Sequence, residues 1–600
     1  MNILSDLYWL RSRFWEVLAN EGIGACLRKG LLKVRSIAFG DSSGLSFTLP
    51  SQSAQYKVWR KHHTLSPECL RRMRLAAGQM PTPPHVTIVL VVSRIDEKRL
   101  RDTIESLLAQ TYPHWTLSVV SEGCRRRMVE HIVKDYSEKD SRIHLEVVSG
   151  KERISDRILK RGLGEFVSFL SLECYLAPEA MSSVITRFQE CPNLDFLYAD
   201  EDMVLENGEF ADPFFKPCWS PDLLIGMNYV GHFNVMRKQL LLRIGSDWGD
   251  IANDDFYHLV LRVAEETNKV GRIPQVLSHC RLAAESSAIP TDQSELATTA
   301  QMKSLEDALS RRGELADVVR NDAGRFKAHF RVSKNPLVSI IIPTKDRWDM
   351  LRQCIESVES VTRYPSYEIV VIDNGSRTAK AKEYLNALSK KWPIHRFPQP
   401  FNFSEINNYG ASKASGEFLL FLNDDTQVIA PDWMSAMVAQ GQRAGVGAVG
   451  AKLLYPSGMI QHAGVVLGVR GVAGHAFRHL RHDTQHYRGL PHVLRNCSAV
   501  TAACMLVSAK IFYEIEGFDG HLKVEYNDVD LCLRLIRAGY RIIYTPDALL
   551  IHHENASRKG GRSQEDESFF LARWETSLRQ GDSYYHPELT TSREDWSLKV

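Results

Sequence analysis

The sequence predicts an α/β protein made of two tandem copies of one domain, each a mostly parallel sheet with helices between its strands, preceded by a helical segment. Three observations carry this. Residues 85–123 and 337–375 follow one plan: an apolar strand, a turn, a helix containing Ile-Glu-Ser, a Tyr-Pro, and a second apolar strand ending in Gly. The correspondence then continues. Ile104 answers Ile355 (offset 251), Gly164-Glu-Phe answers Gly416-Glu-Phe (offset 252), and Ala177-Pro answers Ala430-Pro (offset 253). Finally, strands that alternate with helical spacing imply parallel pairing through crossovers. A length of 600 residues with 44% hydrophobic and 24% charged residues suits two or three globular domains and excludes a disordered or fibrous chain.

In chain order, residues 1–80 form a basic amphipathic helical segment, with twelve Lys/Arg against five Asp/Glu. Ile3, Leu7, Leu10, Phe14 and Val17 make one apolar stripe; Ile23, Leu27, Leu31, Val34 and Ile37 make a second, with Arg28, Lys29, Lys33 and Arg35 on its polar side. Two readings stand: peripheral contact with an anionic membrane, or a helical hairpin packed on the body. No apolar run reaches membrane-spanning length and charges interrupt the first twenty residues, so a cytoplasmic protein is expected, at most peripheral on the inner face of the membrane. Eleven cysteines without a CxxC pair argue against a disulfide framework or a structural zinc site. A net charge of +2 gives no field for nucleic acid. Copy one covers 81–282 and a helical linker 283–335, with a helix from Ser294 to Arg311. Copy two covers 336–600, lengthened between Pro431 and Leu533, because Leu261-Arg262 answers Leu533-Arg534 at an offset of 272.

In parallel sheets ligands bind beyond the carboxyl ends of the strands. In copy two, the strand at 338–342 runs into Pro343-Thr344-Lys345-Asp346, that at 368–372 into Asp373-Asn374-Gly375-Ser376, and that at 418–422 into Asn423-Asp424-Asp425-Thr426. One acid after a strand is ordinarily a cap or turn residue. Three at equivalent places converge, and converging carboxylates call for a cation or hydrogen-bond donors among them. Asp528 and Asp530 open an apolar-periodic helix, where an N-cap or first-turn role is the plain alternative.

These residues resemble the family 2 glycosyltransferases of the GT-A fold, a Rossmann-like α/β fold, and more narrowly the tandem-domain bacterial members of O-antigen and surface-polysaccharide synthesis. The similarity rests on residues 336–347 (PLVSIIIPTKDR), 369–376 (IVVIDNGS), 400–411, 421–434 (FLNDDTQVIAPDWM), 447–477, 496–508, 526–535 (YNDVDLCLRL), 548–560 (ALLIHHENASRKG) and 584–600. The resemblance implies a nucleotide-sugar donor held by Pro343, Thr344, Asp346, Asp373, Asn374, Asp424 and Arg558. It implies a divalent ion, Mg²⁺ or Mn²⁺, on Asp425 and on His552 in preference to His553, and Asp528 as the base for an acceptor hydroxyl. The reaction implied is sugar transfer with inversion to a saccharide; a lipid-linked acceptor would give the basic head a purpose. The glycine-rich stretch with His462 and His475 either lines the acceptor site or is a hairpin.

In copy one Ile95 stands opposite Asp346, Ser121 opposite Asp373, Ser171-Leu172-Glu173-Cys174 opposite 423–426, and Phe256 opposite Asp528. That copy is therefore expected to be non-catalytic, with Asp200, Glu201 and Asp202 as a turn or a relict of a site. A nucleotidyltransferase would want a glycine-rich phosphate loop that residues 343–347 do not form. A non-catalytic glycan-binding or assembly subunit is the alternative of a different class, against which the acids of copy two stand.

Overall fold

The structure, a computed structural model, describes residues 52–92, 96–121, 126–147, 154–160, 162–246, 256–281, 295–321, 325–554 and 563–599. The two stripes expected at 3–37, and Ile95, Arg558 and Lys559, lie outside the described residues.

Copy one contains β1 (Val86–Val92), β2 (Trp115–Ser121), β3 (Ile143–Val147), β4 (Phe166–Leu170), β5 (Cys174–Leu176), β6 (Phe196–Val204), β7 (Phe210–Phe214), β8 (Asn234–Arg237) and β9 (Val270–Arg281). The linker carries the helix Glu295–Arg311 and a hairpin that periodicity did not disclose, β10 (Ala316–Arg320) with β11 (Phe326–Phe330). Copy two contains β12 (Val338–Thr344), β13 (Tyr367–Asp373), β14 (Ile394–Arg396), β15 (Phe418–Leu422), β16 (Thr426–Val428), β17 (Val446–Leu454) and β18 (Ile460–His462). It ends with β19 (Val465–Leu467), β20 (Ala473–His475), β21 (Arg495–Asn496), β22 (Cys504–Ser508) and β23 (Arg541–His552).

Along their main path the two sheets match strand for strand, while β21, paired with β23, has no counterpart in copy one. Their orders are β3-β2-β1-β4-β8-β6-β9-β5 and β14-β13-β12-β15-β22-β17-β23-β16. The half of each sheet built first is parallel, as the alternating pattern implies. The other half is mixed, because β8 and β22 enter antiparallel between strands distant in sequence. β1 is buried along its whole length, as a strand covered on both faces must be.

Each sheet has its own apolar core on one face. The opposite faces share a third core that runs from Tyr56 and Trp59 through Phe215, Tyr257 and Phe326 to Tyr487 and Trp596. Each large side chain buried there contributes about 1.5–3 kcal/mol, so residues 55–600 form one compact unit. Polar locks reinforce the junction. The fully buried Asp222 accepts hydrogen bonds from Arg443 (2.6 Å), Arg541 (2.8 Å) and Asn496 (2.6 Å) of copy two. Arg443 also binds Glu314 at 2.8 Å and lies over the Phe330 ring. Tyr487 donates to the Phe215 carbonyl at 2.9 Å.

Asp200, Glu201 and Asp202 lie in mid-strand in β6, not in a turn, and all three are engaged. Asp200 pairs with His586 (2.8 Å), Glu201 with Lys216 (3.0 Å), and Asp202 with Tyr56, Arg60 and His279. Their charges tie copy one to the C-terminal tail and to the N-terminal helix Gln52–His63. Part of the basic head is thus used internally: Arg60 meets Asp202, and Lys57 meets Glu209 at 2.6 Å. The cysteine spacing gave no reason to expect a bridge, yet Cys174 and Cys280, 106 residues apart, are joined by a disulfide. They became partners because β5 and β9 pair in a register that sets them opposite each other, which no local spacing discloses. Among the described residues no helix is long and apolar enough to cross a membrane.

Candidate active site

The site assembles at the carboxyl ends of β12, β13 and β15. Parallel register sets Thr344 beside Asp373, and the Asn374 amide extends the ladder to the Thr344 carbonyl at 3.0 Å. Pro343 sits within β12 opposite Ile372. Asp346 adopts φ 59°, a conformation unusual for a residue with a side chain and typical of functional turns. Its Oδ1 accepts from the amides of Arg377 (2.6 Å) and Thr378 (2.8 Å), and its own amide donates to Ser376 Oγ at 2.9 Å. The Thr378 amide above all, with that of Arg377, holds the Asp346 carboxyl below its usual range. Asp373 Oδ1 accepts from the Ser376 amide at 2.8 Å, in a turn that Gly375 makes possible with φ 76°. Of the cap and turn roles weighed from sequence it is the turn role that both acids fill, and Ser376, bonded to each, links them. Asn374 donates to the carbonyls of Phe397 and Gln399, while its buried Oδ1 has no hydrogen-bond partner among the described residues.

Asn423, Asp424 and Asp425 fill the step from β15 to β16. Antiparallel pairing of β16 with β23 sets Thr426 opposite His552 and brings His552 Nε2 to 3.1 Å from Asp425 Oδ1. Of the two histidines it is His552 that faces the acid; His553 gives its amide to the Asp425 carbonyl at 2.9 Å. Asn423 Nδ2 lies 3.4 Å from His552 Nε2. His552 Nδ1 and His553 Nε2 are buried without hydrogen-bond partners among the described residues.

The two neighbouring carboxylates are driven apart electrostatically. Burial, reinforced by Asp425 and Asp349, pushes the Asp424 carboxyl up to about 7, against the Thr344 hydroxyl bond of 2.7 Å and the Arg347 charge. Burial also acts on Asp425, but the His552 bond and charge, with Arg347, outweigh it and hold Asp425 below its usual range.

Asp528 stands in the first turn of the helix Asn527–Arg537, after Tyr526 at φ 60°. Its Oδ2 accepts from the Ala502 amide at 3.0 Å and its Oδ1 from the Val529 amide at 2.9 Å. The next carbonyl, of Ala503, receives the Asn423 amide at 3.1 Å, so Asp528 and the start of the 423–425 segment are fastened to adjacent residues. Asp530 points the other way. Fully buried, it binds Arg534 (2.8 Å), Arg573 (3.0 Å) and Trp574 (2.9 Å) and pins this helix to the helix Gln564–Gln580.

The glycine-rich stretch is a hairpin, β19 with β20. His462 Nε2 accepts from the amides of Gly464 (3.2 Å) and Thr501 (3.5 Å), so its Nδ1 carries the proton toward His475 Nδ1, 2.8 Å away. Burial first, then electrostatic repulsion from its neighbours, Arg495 among them, hold His462 well below its usual range and neutral. It buttresses the backbone that holds Asp528. Two nearby residues were missed from sequence. Arg347 has a buried Nη1 without a hydrogen-bond partner among the described residues, and its charge acts on both Asp424 and Asp425. Its position directly after Lys345-Asp346 was the available signal. Glu554, held by Arg478, Tyr455 and Gln461, stands where the described chain stops before Arg558.

Copy one shows the same scaffold without this chemistry. β2 ends in Ser121 where β13 ends in Asp373, and β4 is followed by Ser171-Leu172 where β15 is followed by Asn423-Asp424. Glu173 takes the position of Asp425, with its carbonyl receiving the Arg281 amide at 2.8 Å as Asp425 receives that of His553. Its carboxylate is paired with Arg99. Cys280 stands where His552 stands, opposite Cys174 as His552 is opposite Thr426.

A mixed α/β sheet whose parallel strand ends carry acids, amide donors and a histidine is the architecture of a glycosyltransferase-type α/β protein. The chain belongs to glycosyl transferase family 2, whose family model matches residues 88–245 and 339–515, more than half of its length. It is 35% identical over 562 residues to the O-antigen biosynthesis protein RfbC of Myxococcus xanthus, covering 92% of this chain and 44% of that protein. It is also 35% identical over 547 residues to the uncharacterised protein y4gI of Sinorhizobium fredii, covering 88% of this chain and 60% of that protein. The chain thus spans less than two thirds of either relative. A pre-mycofactocin glycosyltransferase of Mycobacterium tuberculosis is 25% identical over 291 residues, covering 46% of this chain and 57% of that protein.

Proposed function

We propose that the protein is a glycosyltransferase whose second copy moves a sugar from a nucleotide-sugar donor to a saccharide hydroxyl with inversion, in the synthesis of a bacterial O-antigen-like surface polysaccharide. The observation that carries this reading is the segment 423–425, which holds the Asp425–His552 pair and starts on the Ala503 carbonyl next to the Ala502 amide that holds Asp528, together with the Asp346–Asp373 turn. In this reading Asp346, Asp373 and Asn374, with Pro343 and Thr344 shaping the wall, grip the base and ribose. Arg558 and Arg347 supply positive charge to the phosphates. Asp528, fixed by two amides, takes the acceptor proton; a carboxylate within hydrogen-bond reach suffices. Holding donor and acceptor in line supplies much of the remaining acceleration.

The donor set fits Mg²⁺ or Mn²⁺. A carboxylate oxygen and an imidazole nitrogen face each other, and the unpartnered Nδ1 of His552 leaves that ring free of a competing tautomer lock among the described residues. A divalent cation bound there would neutralise the diphosphate as negative charge grows on the leaving group. Copy one serves as scaffold, supported by Ser121, Leu172 and Phe256 at the places of Asp373, Asp424 and Asp528. The excess of Lys/Arg in residues 1–80 supports a lipid-linked acceptor met at the inner face of the membrane.

The test is nucleotide release from a panel of UDP-, GDP- and dTDP-sugars by the full chain with Mn²⁺, beside Asp425→Ala and Asp528→Asn. Release with one donor, lost in both variants, is the expected result. No donor bound or turned over, or variants that match the wild type, would sink the reading.

A further inference from the structure

The place in copy one that corresponds to the metal-facing pair of copy two has not merely lost its ligands; it has acquired a different set. Sγ of Cys174, Sγ of Cys280 and a ring nitrogen of His232 all lie within 4.8 Å of one another. Among the described residues this is the one such group of three or more His, Cys, Asp or Glu. The registers fix the correspondence. Cys174 and Cys280 face each other across β5 and β9 as Thr426 and His552 do across β16 and β23. β4 pairs with β8 as β15 pairs with β22, which sets His232, two residues before β8, at the place of Ala503, next to the peptide that holds Asp528. Met203, across β6 from Cys280, packs on the two cysteines.

We propose that Cys174, Cys280 and His232 form a binding site for a thiophilic divalent cation, Zn²⁺ by its chemistry, occupied when the Cys174–Cys280 disulfide is reduced. Exchange of oxygen ligands for two thiolates and an imidazole moves the preference from Mg²⁺ or Mn²⁺ to Zn²⁺, and three protein ligands leave a fourth tetrahedral position to water. The hard ligand that copy two uses is withdrawn here, since Glu173 is paired with Arg99. The surroundings suit an imidazole ligand. The His232 amide leans on Glu201 Oε2 at 3.4 Å, and that carboxylate is fixed by Lys216.

The chemistry balances. A phosphine reductant gives two electrons to the disulfide and takes the oxygen of one water molecule as its oxide; the two protons of that water complete the two thiols. The cation then displaces both thiol protons to solvent, leaving two thiolates and a neutral imidazole as ligands.

The experiment uses the full chain, reduced with a phosphine and titrated with Co²⁺ alone, followed by Zn²⁺. The expected result is a thiolate-to-cobalt charge-transfer band saturating at about one Co²⁺ per chain, bleached by Zn²⁺ and absent from the unreduced protein. Cys280→Ser abolishes the band. His232→Ala, at a half-buried position that folding tolerates better, weakens Co²⁺ binding about tenfold or more. Asp425→Ala leaves the band intact, so this result stands or falls apart from sugar transfer. The proposal is overturned if the reduced wild type gives no thiolate band, in which case the pair is a disulfide strut only. It is also overturned if His232→Ala binds Co²⁺ as tightly as the wild type.

Discussion

At Asp424 and Asp425, adjacent in sequence, burial produces opposite outcomes because one faces a hydroxyl and the other an imidazole. For Asp424 the carboxyl is pushed from its ordinary value up to about 7. A carboxyl raised in the folded state binds a proton that the unfolded chain has released. Its contribution to stability is therefore complete below the unfolded value, near 4, and is lost as pH rises through about 7. Asp424→Asn should accordingly gain stability relative to wild type between pH 4 and pH 8 in metal-free buffer, by up to ~4 kcal/mol at about 1.4 kcal/mol per unit. Thermal melts of both proteins across that range check it; parallel curves refute it. His552→Ala, with its ring nitrogen removed from Asp425, should weaken Mn²⁺-supported donor binding about 10- to 100-fold, read by calorimetry with and without the metal. The residue scale was largely legible in the sequence, because an acid directly after an apolar strand is a local signal. The choice between His552 and His553 was not, since alternate residues of a strand face opposite ways and only the pairing with β16 decides which looks inward.

Among the elements, the helix Asn527–Arg537 has the most demanding task, to hold its first turn against the Ala502–Ala503 backbone. Two acids two residues apart divide the work: Asp528 faces the Ala502 amide and Asp530 faces Arg534, Arg573 and Trp574. Asp528→Asn keeps the geometry and removes the proposed base. Its kcat should fall roughly 10²–10⁴-fold with donor affinity unchanged, read by steady-state kinetics beside equilibrium binding. Asp530→Ala leaves Arg534 and Arg573 without their shared buried partner and should destabilise the fold by about 3–5 kcal/mol, measured by denaturant unfolding. The sequence marked the helix clearly and left the two acids ambiguous, because a helix dipole welcomes both. It was silent on β10 and β11, whose five-residue strands are too short for periodicity to separate from loop. It was equally silent on the antiparallel entry of β8 and β22, which long-range pairing alone decides.

On the scale of the whole molecule, the repeat was the strongest signal in the sequence, and the two strand orders match throughout. How the copies meet could not be read there. Asp222 looks like any helix-start acid, yet it receives two arginines and an asparagine from copy two. Asp222→Ala should cost about 3–5 kcal/mol by leaving Arg443 buried without that partner. With one core common to both copies, the loss should lower a single unfolding transition and not split off one copy, which calorimetry of the full chain would resolve.

That shared core bears on why an altered copy persists. A chain that shed copy one would deprive Arg443 and Arg541 of Asp222 and the Tyr487 hydroxyl of the Phe215 carbonyl, and expose an apolar face now covered from both sides. With the copies docked, substitutions at the strand ends of the first, such as Ser121 and Leu172, leave the shared core in place, while deletion of the first would uncover it. The duplication is in this sense a one-way step: the strand ends of one half are free to vary, but its bulk can no longer be given up.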